Sequence, residues 1–90
     1  MKQRVEITVR GLVQGVGYRA FAKRAADALQ VTGFAENMPD GSVRIIAEGE
    51  REKLEEFIKE CKKGPSLAEV ESIDKKWYPY KGEFVYFEYF

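Results

Sequence analysis

Along this chain the spacing of hydrophobic residues switches between a period of two and a helical period in a fixed order, and that order leaves few folds open. From Arg4 to Arg10, Val5, Ile7 and Val9 alternate with Arg4, Glu6, Thr8 and Arg10, the pattern of a half-buried strand. Tyr18 to Gln30 reads as a helix, with Tyr18, Phe21, Ala22, Ala25 and Leu29 at helical spacing and Lys23, Arg24 and Asp27 outward. Val31 to Asn37 is a short strand. Pro39-Asp40-Gly41 is a turn signal, since proline presets its backbone angle and glycine accepts positive φ. Ser42 to Glu48 completes a predicted hairpin, alternating Val43, Ile45 and Ala47 against Arg44, Ile46 and Glu48. A second helix follows from Arg51 to Lys63, with Leu54, Phe57, Ile58 and Cys61 on one stripe, and Gly64-Pro65 ends it. In the fourth strand, Leu67 to Tyr78, Val70 and Ile73 fall on opposite parities, which predicts a bulge. Phe84 to Phe90 reads as a last, aromatic strand. The order β-α-β-β-α-β, with an extra C-terminal strand, is the split βαβ pattern of an α+β fold: an antiparallel sheet with two helices on one face. That architecture hosts many functions and settles none.

Ninety residues, 44% of them hydrophobic, suffice for one core and one domain spanning residues 1–90. Fifteen basic and fifteen acidic side chains cancel, which argues against a dedicated nucleic-acid binder. Aromatic sheets of this type can stack single-stranded RNA, and Trp77, Tyr78, Tyr80, Tyr86 and Tyr89 supply aromatics. However, the stacking motif of such RNA binders is missing, so packing is the expected role of these rings. Cys61 is the lone cysteine, which fits a reducing compartment. No stretch reads as a signal peptide or a membrane span, so a cytoplasmic monomer is expected. The chain has no histidine. That removes the commonest general base, the commonest metal ligand and every Ser-His or Cys-His arrangement.

Three glycines, Gly11, Gly15 and Gly17, fall within seven residues between the first strand and the first helix. In such a loop successive N–H groups can turn inward as an anion-binding nest at a helix N-terminus. A tight connection needing glycine only for its backbone angles is the other reading, and the loop alone leaves both open. Neither the Walker pattern nor the dinucleotide fingerprint is present, since Ala20 stands where the latter needs its third glycine. Arg19 falls in the first helical turn, where a cation opposes the helix dipole. It makes sense there if an anion lies beside it, because guanidinium grips phosphate with a bidentate fork; a solvated surface arginine is the alternative. Asn37, the only asparagine, precedes the turn. On its own it reads as a turn former.

The stretch Gly11-Leu-Val-Gln-Gly-Val-Gly-Tyr-Arg19-Ala-Phe, followed by Gly33-Phe-Ala-Glu-Asn37-Met-Pro-Asp-Gly-Ser-Val43, resembles the two signature segments of the acylphosphatase family. The likeness runs through essentially the whole chain, including Gly64-Pro65-Ser66. It implies a ferredoxin-like α/β sandwich and metal-free, cofactor-free hydrolysis of acyl phosphates to carboxylate and inorganic phosphate. It further implies that Arg19 and the amides of Gly11, Leu12, Val13, Gln14, Gly15, Val16, Gly17 and Tyr18 hold the phosphate, while Asn37 orients the attacking water. Ala35-Glu36 departs from the β-branched residue and arginine that many members carry there, and Met38 replaces a residue that is often small or polar. A non-catalytic binding module, or a domain partnering an enzyme that handles carbamoyl phosphate, is the competing expectation.

Overall fold

The computed structural model describes residues 1–90. Strand β1 (Lys2–Leu12) leads through the glycine loop into helix α1 (Tyr18–Ala28). The hairpin β2 (Thr32–Asn37) and β3 (Val43–Glu50) follows, then α2 (Arg51–Lys63), β4 (Glu69–Pro79) and β5 (Phe87–Tyr89). The sheet order is β4-β1-β3-β2-β5. β1 runs antiparallel to β3 and β4 in the centre, so Val5, Ile7 and Val9 lie fully buried beneath both helices. Tyr18, Ala22 and Ala26 of α1 and Leu54, Phe57, Ile58 and Cys61 of α2 close the core over Ile45, Ala47 and Ala35.

The predicted bulge is present. Arg10 faces Ser72 while Gly11 faces Val70, so Glu71 is the extra residue of β4. This slip brings Val70 and Ile73 onto the core side together. Gly11 is the residue that lets β4 approach. Its φ is +130°, and a Cβ built there would stand 2.1 Å from the Glu69 carbonyl oxygen.

Several expectations need correction. Helix α1 stops at Ala28 rather than Gln30, because Gln30 adopts a left-handed φ of 59° and the Val31 N–H closes the helix end onto Ala26 O at 2.8 Å. The sheet is mixed rather than wholly antiparallel, since β5 pairs with β2 in parallel, Ala35 opposite Tyr89. Finally, only Phe87–Tyr89 of the expected Phe84–Phe90 strand is extended into the sheet. The residues before it form a strap across the face opposite the helices. The Lys81 and Glu83 N–H groups donate to the Glu48 carboxylate at 2.7 and 3.1 Å, and Arg4 lies 3.5 Å from it. Phe84 packs edge-on against Phe34, 5.9 Å between ring centres, beneath the Arg4 guanidinium. Ile46 and Glu48, expected on an outward face, are buried as a result.

Candidate active site

The end of the sheet where β1 stops and the β2–β3 hairpin turns gathers the polar residues singled out above. Gly11 and Leu12 belong to strand β1, opposite Val70 and Glu69, so the free loop begins only at Val13, whose side chain is buried. Gly15 and Gly17 have φ of 76° and 78°, and Gly17 occupies the N-cap of α1 in the left-handed conformation with no side-chain cap. The first helical hydrogen bond is donated by Phe21 to Gly17 O at 3.0 Å. The N–H groups of Tyr18, Arg19 and Ala20 therefore have no partner within the helix. Among the main-chain hydrogen bonds outside helices and strands, none is donated by the amides of Val13 to Gly17. The result is a donor-rich corner at the positive end of a helix dipole, with no acidic residue in the first turn.

Two further contacts hold this corner together. The Gln14 carboxamide donates to the carbonyl oxygens of Met38 at 2.8 Å and Ser42 at 3.0 Å, which ties the glycine loop to the hairpin turn immediately after Asn37. That turn is itself fixed by Met38 N–H to Ser42 O at 2.8 Å and by Asp40, which accepts from the Ser42 hydroxyl at 2.6 Å and the Ser42 N–H at 3.0 Å. These bonds from Ser42 hold the Asp40 carboxyl below its ordinary range. Tyr18 anchors the start of α1 by donating its hydroxyl to the Cys61 carbonyl at 2.7 Å. Burial pushes the pKa of that hydroxyl upward, and burial likewise pushes the Cys61 thiol up to about 12, so neither ionises at neutral pH.

Arg19 is half-buried and points toward β5. Its guanidinium donates to the main-chain oxygen of Phe90 and lies 5.8 Å from the centre of the Tyr89 ring. One turn on, Lys23 donates to Phe87 O at 2.9 Å. Phe90 in turn donates its N–H to Ala35 O at 3.0 Å on neighbouring β2, two residues before Asn37. With strands about 4.8 Å apart, the Arg19 guanidinium and the exposed Asn37 share one corner of the molecule, with the glycine loop between the hairpin and α1. The contributions of Gln14, Tyr89 and Phe90 to this corner were not legible in the sequence: each depends on contacts between residues at least 24 positions apart. No three His, Cys, Asp or Glu side chains come together as a metal-ligand set.

The acylphosphatase family model matches residues 5–89 of this chain. The chain belongs to the acylphosphatase family. It is 51% identical over 74 residues to the acylphosphatase of Thermus thermophilus, covering 82% of this chain and 84% of that protein. It is 44% identical to the acylphosphatase of Methylococcus capsulatus, covering 94% of this chain and 92% of the relative. The crystal structure of acylphosphatase from Bacillus subtilis superimposes with a TM-score of 0.94 at 32% identity, covering 100% and 99% of the two chains. The activity of this family member is hydrolysis of acyl phosphates to carboxylate and inorganic phosphate. Its fold is the ferredoxin-like sandwich, and no helix is long and apolar enough to cross a membrane.

Proposed function

We propose that the phosphoryl group of the acyl phosphate is held by the amides from Val13 to Arg19 together with the Arg19 guanidinium, and that Asn37 orients the attacking water. Gly11 and Leu12 act from β1 by placing the loop. The observation that carries this reading is the uncapped α1 N-terminus, whose unengaged amides share a corner with Arg19 and Asn37 through the Gln14 tie.

The chemistry asks for little more. The leaving group is a carboxylate, whose conjugate acid has a pKa of about 4 to 5 by analogy with Glu, so it departs without a general acid and a chain lacking histidine suffices. The phosphoryl transition state is loose, with charge spread over three equatorial oxygens, and catalysis is largely positioning plus charge stabilisation. The amides and Arg19 supply stabilisation. Asn37, donor and acceptor at once, supplies position. As the P–O bond breaks, its electron pair stays on the bridging oxygen and spreads over the carboxylate that departs with it; the water oxygen forms the new bond to phosphorus and its proton passes to the phosphate or to solvent. The positive helix end favours the anionic phosphate throughout.

A cytoplasmic, monomeric enzyme is part of the same proposal; the lone buried cysteine supports the reducing compartment. The test is hydrolysis of benzoyl phosphate by the purified protein with and without chelator, beside Arg19→Ala. The expected result is turnover insensitive to chelator and lower by about 10²–10³-fold or more in the variant. Full activity of Arg19→Ala would remove Arg19 from the site.

A further inference from the structure

Helix α2 and the edge strand β4 leave a groove of about 230 Å³ between them. Its composition is unlike the rest of the surface. Along α2, Arg51, Glu55, Lys59 and Lys62 are spaced four, four and three residues apart, which places them in one line facing β4. From β4 come Lys75 and Trp77, and Ile58 forms an apolar floor, only 3% exposed. Four cations and one carboxylate thus line a single cleft in a chain whose overall charge is zero.

The cations are not equally engaged. Arg51 is held by Glu55 at 2.9 Å and by the Gln3 carboxamide at 2.6 Å, with its guanidinium 3.7 Å from the centre of the Trp77 ring. Lys59 has only Glu56 at 3.7 Å, beyond hydrogen-bond reach. Lys62 and Lys75 make no ion pair. Lysines on an edge strand also discourage strand pairing between molecules. That role does not call for Lys59 and Lys62 on the helix, nor for a half-buried tryptophan between them.

We propose that this groove binds a nucleoside polyphosphate, with the base stacked on the outer face of the Arg51 guanidinium, which itself lies on the Trp77 ring, and the phosphates on Lys59, Lys62 and Lys75. A guanidinium plane held flat against an indole offers its outer face as a stacking platform for any base. The free ammonium groups supply the point charges that phosphates take. The volume lies below the roughly 300–1,000 Å³ of cavities that enclose a whole ligand, which suits one ring system inside and a phosphate chain lying outward along the lysines. The base end of the groove is separate from the glycine corner. Trp77 faces Val5 and Val70 faces Gly11, so about 20 Å of strand divides Trp77 from the loop at 3.3 Å per residue.

Trp77 is the only tryptophan in the chain, so its fluorescence reports this groove alone. The experiment titrates ATP, tripolyphosphate and inorganic phosphate into the full-length protein at constant ionic strength, with calorimetry as the second readout. The expected result is a saturable change with ATP, about tenfold weaker binding of tripolyphosphate through loss of the base, and a loss of at least about tenfold in Lys62→Glu/Lys75→Glu. ATP binding should persist in Arg19→Ala. No saturable change, equal binding of ATP and tripolyphosphate, unchanged binding in the double variant, or loss of ATP binding in Arg19→Ala would each overturn the proposal.

Discussion

At Arg19 the proposed grip on phosphate depends on the shape of the cation as well as on its charge. One arm of the guanidinium is spent on Phe90 O and its plane lies near the Tyr89 ring, which leaves the remaining N–H groups aimed by that anchorage. A lysine offers one compact charge and no fork, so Arg19→Lys is expected to behave like Arg19→Ala, with both benzoyl phosphate turnover and inorganic phosphate binding lost; near-normal phosphate binding in the lysine variant would show that charge alone suffices. Arg19 and Asn37 stood out in the sequence for different reasons, the first because its charge opposes a helix dipole, the second because it is the sole asparagine. Neither reason reveals that they share a corner. Gln14 makes that connection, and a glutamine inside a glycine-rich loop carries no local signal of a partner 24 and 28 residues away. Glu36, one residue before Asn37, stands 3.5 Å from Arg44, so its negative charge is partly answered on the face away from the helices.

Among the elements, the glycine loop and the hairpin turn do the positioning. Gly11 keeps β4 close to β1, and the close approach makes its substitution costly: Gly11→Ala drives a methyl into the Glu69 carbonyl. The expected loss is on the order of 1–3 kcal/mol from overpacking, read as a lower urea midpoint. An unchanged midpoint would mean that β4 yields freely. The hairpin turn carries a pH signature through Asp40. Its carboxyl is held below the ordinary value by Ser42, so its contribution is fully present above roughly pH 4, the unfolded value, and is lost as pH falls through the folded value. Asp40→Ala is expected to lower the melting temperature at neutral pH and to flatten the acid limb of stability against pH. Parallel wild-type and variant curves would contradict this. The strand and helix order was readable because long periodic segments set it, and even the β4 bulge announced itself through the parity of Val70 and Ile73. The partner of β5 did not: three residues of strand hold no pattern that distinguishes a parallel from an antiparallel neighbour.

For the whole molecule, the strap from Lys81 to Glu83 is what converts a sheet with one open face into a partly two-sided core. Ile46 and Glu48 read as outward-facing from their alternation, and only residues more than thirty positions later bury them. Glu48 is the pin. Removing its carboxylate leaves the Lys81 and Glu83 amides without their acceptor and Arg4 with the Glu83 carboxylate alone, so Glu48→Ala is expected to cost on the order of 3 kcal/mol, with protection of the strap amides from hydrogen exchange falling first. The strap leads directly into β5, whose Phe87 and Phe90 oxygens receive Lys23 and Arg19. Stability and site geometry are therefore joined through one C-terminal segment. The central claim is the division of labour in the corner it helps to build, with amides and Arg19 binding and Asn37 aiming. The measurement that tests it most directly compares turnover of benzoyl phosphate with the affinity for inorganic phosphate in Asn37→Ala. The expected result is a fall in turnover of about 10²–10³-fold with phosphate affinity within a few-fold of the wild type; loss of both in equal measure would contradict the account.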